Sequence, residues 1–363
     1  MKLAIVGLGR RMNNIVRDLR KAAPELRVVG LVDDHPENSK NHLTEEERAE
    51  IKLCRSVDEL VAECRPDALA IGTRCDSHTR YAIEASRHSI PLFLEKPVSN
   101  SMEQAMALEQ AFASSRCPVL VSFPLRVSTL CERTKTLLEG GTIGRLEHLL
   151  AVNYVSYGNV YFDTWHRDYS VTQGLFLQKA THDFDYLSYL VGAPITRVAA
   201  MASWGRVHRD TRTKTAHPDP NSIYLDEIGT PKEGMNEDSS SALLEFANGV
   251  KGVYTQVFFS KNLPRRGVSL SGMKGNISFD WYDNRIVATH HTNPFKDVMS
   301  QQGADNHFGG DTALSENFIA MVRENAPSRA PISAGIESVY ACLAAKESTE
   351  TGQFVNVRQL GNC

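Results

Sequence analysis

The chain has 363 residues, 42% of them hydrophobic, and a formal net charge of −3. That length exceeds the roughly 250–300 residues over which one hydrophobic core keeps growing, so two domains are expected, divided near residue 122 into 1–122 and 123–363. With no lysine-arginine block and no apolar run approaching the ~18 residues of a bilayer span, neither a nucleic-acid nor a membrane partner is expected. The opening Met1 to Gly7 is too short for a signal-peptide core, and the seven cysteines are odd in number, scattered and never in a CxxC pair. Reduced thiols in a cytoplasmic protein, with no disulfide framework and no metal site, are the expectation.

Leu3 to Val6 form a continuous apolar strand, followed by Gly7-Leu8-Gly9-Arg10-Arg11-Met12 and a helical pattern through Ile15, Val16 and Leu19. Glycines at a strand-to-helix turn allow a pyrophosphate to approach the helix N-terminus, which is the setting of a dinucleotide fingerprint. Its third glycine is here Met12. A second apolar run, Val28 to Val32, ends at Asp33-Asp34, where a carboxylate would accept from ribose hydroxyls and repel a 2′-phosphate. NAD is therefore favoured over NADP, although Arg10 or Arg11 could reach such a phosphate.

Strands and helices then alternate: a strand at Ile51 to Cys54, a helix from Val57, a strand at Asp67 to Gly72, a helix at Ser77 to Arg87, a strand at Pro91 to Leu94, a helix at Met102 to Ser114 and a strand at Pro118 to Val121. That alternation predicts a parallel sheet with right-handed crossovers. Ligands bind such sheets beyond the carboxyl ends of the strands, which carry Gly7 to Arg11, Asp33, Thr73 to His78, Glu95-Lys96-Pro97 and Phe123 to Arg126.

Leu146 to Tyr154 read as a strand, and an aromatic stretch follows with Tyr157, Tyr161, Phe162, Trp165, His166, Arg167 and Tyr169. Rings beside Arg and His suit a sugar, which shows apolar C–H faces within a rim of hydroxyls. The segment Leu175 to Val191 reads as a helix. At about 100° per residue it gathers Lys179, His182, Asp183 and Tyr186 on one face beside an apolar stripe of Phe176, Ala180, Phe184, Leu187 and Val191.

Further strands are expected at 195–204, 241–246, 250–259, 268–271, 277–281 and 285–290, with Asn248-Gly249 and Asp283-Asn284 as hairpin turns. They predict a large, open, mostly antiparallel sheet with both faces partly covered and capable of self-association. Between them Arg206 to Asp238 read as a long polar loop, a lid or a simple insertion, with His208 and His217 facing solvent. Asn306-His307-Phe308-Gly309-Gly310-Asp311 precede a helix from about Thr312 to Val322 capped by Asp311 or Thr312, and His307 could reach the site. A last helix runs from Ala334 to Glu347.

Glu95-Lys96-Pro97 behind a glycine fingerprint, Thr73-Arg74-Cys75-Asp76-Ser77-His78, and His182-x-x-Asp185 occur in the order of the glucose-fructose oxidoreductase, inositol dehydrogenase and rhizopine-catabolism (Gfo/Idh/MocA) family, which the chain resembles over nearly its whole length. The resemblance implies an N-terminal Rossmann domain, a C-terminal α+β domain and NAD-dependent oxidation or reduction of a hydroxyl or carbonyl on a sugar, polyol or related compound. It places Lys96 near nicotinamide and substrate, and His182 as the relay for the hydroxyl proton. The sequence departs from the family pattern at Pro124-Leu125-Arg126-Val127, at Arg74 and at Gln178.

Hydride loss from a carbinol needs its hydroxyl proton removed, work suited to an imidazole, and an ammonium would stabilise the developing alkoxide. Candidate catalytic residues are thus Lys96, His182, Asp185 and Lys179. Cofactor candidates are Gly7, Gly9, Arg10, Arg11, Asp33, Thr73, His78, Glu95 and Lys96. Substrate candidates are Lys96, Arg126, Tyr157, Trp165, His166, Arg167, Lys179, His182 and His307. Two other functions remain open: a lyase or glycosidase-like enzyme that cycles its NAD, and a non-catalytic NAD sensor. A homodimer or homotetramer through the C-terminal sheet is expected.

Overall fold

The computed structural model describes residues 1–208, 235–301 and 306–361. It divides into two compact units, Met1–Thr129 with Ala304–Val339, and Leu130–Gly303 with Tyr340–Cys363.

The first unit is a Rossmann sheet of six parallel strands: β1 (Lys2–Val6), β2 (Arg27–Val32), β3 (Lys52–Leu53), β4 (Ala68–Ile71), β5 (Leu92–Leu94) and β6 (Val119–Val121). Their spatial order is β3-β2-β1-β4-β5-β6, so the winding reverses between β1 and β4. This switch point puts the ends of those two strands, Gly7 and Gly72-Thr73, beside each other. Burial on both faces explains why the strands read as unbroken apolar runs: Leu3 to Val6, Ala68 to Ile71 and Leu92 to Leu94 are all buried.

The helix Arg10–Ala22 buries Met12, Ile15, Val16 and Leu19. A glycine at position 12 would let helix and strand approach closely. Here the missing side chain is on the strand side, because a Cβ at Gly72 would lie 2.7 Å from Met12 Cε. The third fingerprint glycine has in effect moved to the end of β4. The helix Gly310–Glu324 also belongs to this unit, with Phe318 edge-on to Phe93 at 5.6 Å.

Helices not foreseen in the sequence include Pro36–Lys40 and Glu45–Glu50, where no apolar period marks them, and Thr129–Glu139, whose Leu130, Cys131, Leu137 and Leu138 do carry one. Glu45–Glu50 begins with a capping box in which Thr44 and Glu47 exchange side-chain bonds to each other's backbone N–H.

The second unit holds a nine-stranded sheet: β7 (Leu146–Tyr154), β8 (Ile195–Ser203), β9 (Ser239–Phe246), β10 (Lys251–Val257), β11 (Arg265–Gly272), β12 (Gly275–Asp280), β13 (Arg285–His290), β14 (Asn293–Ser300) and β15 (Val355–Asn356). The order is β14-β13-β12-β11-β7-β10-β9-β8-β15. Every pairing is antiparallel except that of β7 with β10, which are parallel. β14 escapes a pattern reading because it is an exposed edge with no inside-outside alternation, and β15 is only two residues long.

Along β10, Tyr254 and Gln256 are fully buried while Val253, Thr255 and Val257 are only half-buried. One face of the sheet is therefore core. The other presents Leu150, Leu243 and Met201, the last 73% exposed. Among the described residues no helix is long and apolar enough to cross a membrane.

Candidate active site

In the first unit the glycine turn fits a dinucleotide. Gly7 has φ +79°, and a Cβ there would lie 2.7 Å from the Thr73 backbone N, so only glycine allows the loop to lie against β4. Gly9 caps the helix Arg10–Ala22 without a side-chain bond, and the space around its Cβ position is open. The first N–H groups of that helix are thus clear of side-chain caps where a pyrophosphate would approach. Asp33 steadies the loop: its Oδ2 accepts from Leu8 N at 3.0 Å and from Ser39 Oγ at 2.6 Å, and its Oδ1 from His35 N at 2.8 Å. Arg10 is exposed at the first turn of the helix.

The Arg11 guanidinium is bonded to side chains of its own unit. Its Nε donates to Glu95 Oε1 at 3.0 Å, Nη2 to Ser122 Oγ at 3.2 Å, and Nη1 and Nη2 form a fork on Asp311 at 2.8 and 2.7 Å. Ser122 Oγ donates to the same Glu95 oxygen at 2.9 Å, and His307 Nδ1 lies 2.8 Å from Asp311 Oδ2. Burial opposes the Asp311 charge, but the bonds from Arg11 and His307 outweigh it and hold the carboxyl far below the usual range.

Asp311 is therefore not the helix cap that its position suggested, nor is Thr312. Gly309 caps, at φ +84°, and the helix starts at Gly310. A Cβ on Gly310 would lie 1.9 Å from Pro124 O, so the segment is pressed onto that backbone and Asp311 is turned toward Arg11. His307 and Phe308 take the left-handed conformation, at φ +48° and +57°, to reach this turn.

His78 is buried. Its Nδ1 lies 2.8 Å from Pro97 O and its Nε2 3.1 Å from Thr73 O. Burial lowers its pKa, and a neutral ring, with one N–H, can donate to only one of these two carbonyls at a time. Lys96, half-buried, sits between two clamps: Glu95 before it is held by Arg11 and Ser122, and Pro97 after it by His78. Arg126, also half-buried, follows the Pro124 contact.

In the second unit the helix through His182 is not a uniform α-helix. Phe176–Ala180 are wound as a π turn and Thr181–Val191 as α. The wider turn breaks the 100° spacing, so Lys179 and Asp183 serve separate clusters. Nor is this face solvated, since Lys179, His182, Asp183 and Asp185 are all buried.

Lys179 Nζ donates to Tyr157 Oη at 2.5 Å and lies over the Tyr157 and Tyr161 rings, 4.8 and 5.8 Å from their centroids. Burial lowers the pKa of this ammonium, but the phenols of Tyr157 and Tyr161 more than offset that and raise it. Asp183 accepts from Arg266 Nε at 2.9 Å, Tyr254 Oη at 2.8 Å and Asn153 Nδ2 at 2.9 Å. Arg266 is buried, and its Nη2 has no hydrogen-bond acceptor among the described residues.

The aromatic loop is fixed at one end by Gly158, whose Cβ would fall 1.6 Å from Phe258 O. Tyr161 and Phe162 turn into a small core with Val155, Leu175 and Phe258. Trp165 stacks on His166 at 3.9 Å, His166 Nδ1 lies 2.8 Å from Thr164 Oγ1, and Arg167 is exposed. His208 was expected in solvent. It is instead buried, stacked on Phe162 at 3.7 Å with Nδ1 2.9 Å from Asp238 Oδ1, because Asp238 also accepts from the backbone N–H groups of residues 206–208 and gathers that segment. His217 lies outside the described residues.

Arg266, Tyr254 and Asn153 have no place in the pattern reading. A signal for Arg266 exists: strand parity sets it on the same face as Val268 and Leu270, and an inward arginine needs a buried anion.

Comparison with known proteins fits this architecture. Residues 1–123 match the family model described as an oxidoreductase family with NAD-binding Rossmann fold, and residues 135–357 its C-terminal alpha/beta domain. The chain is 28% identical over 137 residues to YteT of Bacillus subtilis (strain 168), named as an oxidoreductase, covering 37% of this chain and 32% of that protein. It is 24% identical over 207 residues to scyllo-inositol 2-dehydrogenase (NAD(+)) of the same organism, covering 55% and 56%. These two matches span about a third and just over half of the relatives' own length. The match to myo-inositol 2-dehydrogenase of Thermotoga maritima is 22% identical and covers 99% of both chains. Among solved structures, levoglucosan dehydrogenase in complex with NADH and levoglucosan superposes with a TM-score of 0.81 at 15% identity, over 99% of this chain and 100% of that one, a likeness of fold. The chain belongs to the Gfo/Idh/MocA oxidoreductase family.

Proposed function

We propose that the protein is an NAD-dependent dehydrogenase acting on a CH–OH group of a sugar or polyol. The observation that carries this reading is the lysine held between two clamps: in a dinucleotide-binding fold, Lys96 is fixed from both neighbours at the carboxyl end of β5. Ion pairing of Glu95 with Lys96 would not call for the second brace from His78. The names of relatives, inositol 2-dehydrogenases and levoglucosan dehydrogenase, point to the same substrate class.

Gly7, Gly9 and the first turn of the helix Arg10–Ala22 would hold the cofactor's pyrophosphate, and Asp33 its ribose hydroxyls, with Thr73 backing the loop. Bound NAD would supply the hydride acceptor. Lys96 stabilises the alkoxide that develops as the hydride leaves, and His182 takes the hydroxyl proton with Asp185 orienting it. Trp165 and Tyr157 offer apolar faces to the sugar, while His166, Arg167, Arg126 and His307 offer polar contacts to its hydroxyls. With Asp33 opposing a 2′-phosphate and Arg11 engaged elsewhere, NAD is preferred to NADP. The apolar face around Leu150, Met201 and Leu243 serves as a contact between copies of the chain in a dimer or tetramer.

The test is reduction of NAD, followed by absorbance, across a panel of inositols, aldoses and anhydrosugars. Turnover with at least one of these, faster with NAD than with NADP, is the expected result. Silence across the panel contradicts the reading. Dissociation of the assembly by Met201→Lys with Leu243→Lys, read by sedimentation, tests the contact.

A further inference from the structure

Asn236, Glu237 and Asp238 are consecutive and buried, and each is bonded to a different segment of the second unit. Asp238 fixes the origin of the group: its N–H donates to Ser203 O at 2.8 Å and its carbonyl accepts from Phe258 N at 3.0 Å, which laces it into the sheet where β9 begins. The two residues before it reach other elements from that fixed point.

Asn236 holds the aromatic loop. Its Nδ2 donates to Tyr161 O and to His166 O, both at 2.8 Å, and so closes the turn that carries Trp165. Only an NH2 group can serve two carbonyls in this way, and Asn236 Oδ1 is left buried with no donor among the described residues. An oxygen so orphaned costs stability, so the side chain is placed for the two loop bonds.

Glu237 holds the start of the helix through His182. Phe176–Ala180 and Thr181–Val191 wind on from Leu175, whose side chain supplies no cap, and the first N–H groups of a helix have no partner within it. Glu237 supplies one from outside: its Oε1 accepts from Phe176 N at 2.8 Å, and the backbone N–H of Leu175 acts on the same carboxyl. Burial pushes this carboxyl up, and the two N–H groups pull it the other way. Gly174, at φ +96°, makes the room, since a Cβ there would lie 3.0 Å from Glu237 Oε2. Lys179 and His182 follow three and six residues after the bonded Phe176.

We propose that Asn236 and Glu237 are positioning residues that set the aromatic loop and the His182 helix from one point on the sheet. Their bonds need no ligand; their effect on turnover rests on the dehydrogenase reading. In that reading the loop meets the sugar and the helix carries the proton relay, so the two side chains act on different kinetic constants. A small displacement of either element is enough to be felt in the chemistry.

The first experiment needs neither cofactor nor substrate. Amide hydrogen exchange of the full chain compares wild type with Glu237→Ala, Glu237→Gln and Asn236→Asp, with circular dichroism of each to check folding. In Glu237→Ala the amides of residues 175–180 should exchange at least about tenfold faster while those of 161–167 stay within about twofold. Asn236→Asp, which keeps the shape but turns a second oxygen toward both carbonyls, should show the reverse pattern. Glu237→Gln keeps an acceptor of the same reach and should restore most of the protection. Where the alanine variant fails to fold, Glu237→Asp, which withdraws the carboxyl by one methylene, should loosen the same residues. Wild-type exchange in both segments, equal loosening of both in every variant, or a glutamine variant no better than alanine overturns the proposal, whatever the enzyme's activity.

The second experiment uses a polyol that the wild type oxidises. Asn236→Asp should raise KM about five- to tenfold with kcat within about threefold, and Glu237→Ala should lower kcat about ten- to hundredfold with KM within about threefold. Glu237→Gln should recover most of that loss. An equal fall in kcat alone in both variants is what mere loss of folded enzyme produces, and it overturns the separate roles. No turnover by the wild type contradicts the dehydrogenase reading, and the exchange pattern then decides the positioning by itself.

Discussion

Each unit sets an arginine against a buried aspartate, and the two pairs are built differently. Arg11 meets Asp311 through a two-bond fork, adds Glu95 and Ser122, and has His307 on the far side of Asp311. Arg266 meets Asp183 through one bond, leaves Nη2 without an acceptor, and shares its surroundings with Lys179. The first arrangement joins the glycine helix, the Lys96 turn and the helix Gly310–Glu324, with its cation matched by two carboxylates. The second sets two cations against one aspartate and completes itself with phenols. The matched network holds the turn that carries Lys96.

The largest effect should come from breaking the sparser pair. Arg266→Met leaves Asp183 buried with only Tyr254 and Asn153, and should cost about 3–5 kcal/mol in urea unfolding. A loss under about 1 kcal/mol would mean that Asp183 does not rely on the arginine. Arg11→Met strands Asp311 and Glu95, but Arg11 is itself 32% exposed and water can reach the gap, so about 2–3 kcal/mol is expected. The same variant sharpens the functional side. If Arg11 is a brace, kcat falls and the NAD-to-NADP preference is unchanged. A selective loss of NADP activity would instead put Arg11 on the 2′-phosphate.

A smaller effect, about 1–3 kcal/mol, is expected from Gly158→Ala, which must push the aromatic loop away from Phe258 O. With the loop goes Tyr157, so KM should rise more than kcat falls. Unchanged KM would separate the loop from the substrate.

The smallest effects are in pH. The folded pKa of His78 is lowered by burial, so between that value and about 6.5 the unfolded chain binds more protons, and stability falls as pH drops below about 6.5. Asp311 is also lowered, and its contribution is present above about 3.9 and lost as pH falls further. Melting temperature should therefore decline in two stages, the first absent in His78→Gln. A first stage of the same size in that variant would assign it to another group.

The Rossmann order was legible because parallel strands buried on both faces read as apolar runs, and Gly7, Gly9 and Asp33 sit at fixed places on them. Gly72 was not legible as the partner of Met12, since the two are sixty residues apart and meet only after the sheet forms. The helix through His182 was legible as a helix with a charged edge. Its π turn was not, because local periodicity carries no sign of an extra residue, and so the separate fates of Lys179 and Asp183 were hidden. The fork from Arg11 to Asp311 was not legible either, because the two lie three hundred positions apart. The exposed edge β14 lacked any pattern to read.

Lys96 and His182 are each proposed to act in hydride transfer. The most direct measurement pairs NAD binding, by fluorescence or calorimetry, with single-turnover reduction in Lys96→Ala and His182→Ala, using a polyol that the wild type oxidises. Both variants are expected to fold and bind NAD while hydride transfer falls by at least about a hundredfold in each. Either variant turning over at the wild-type rate would contradict that expectation.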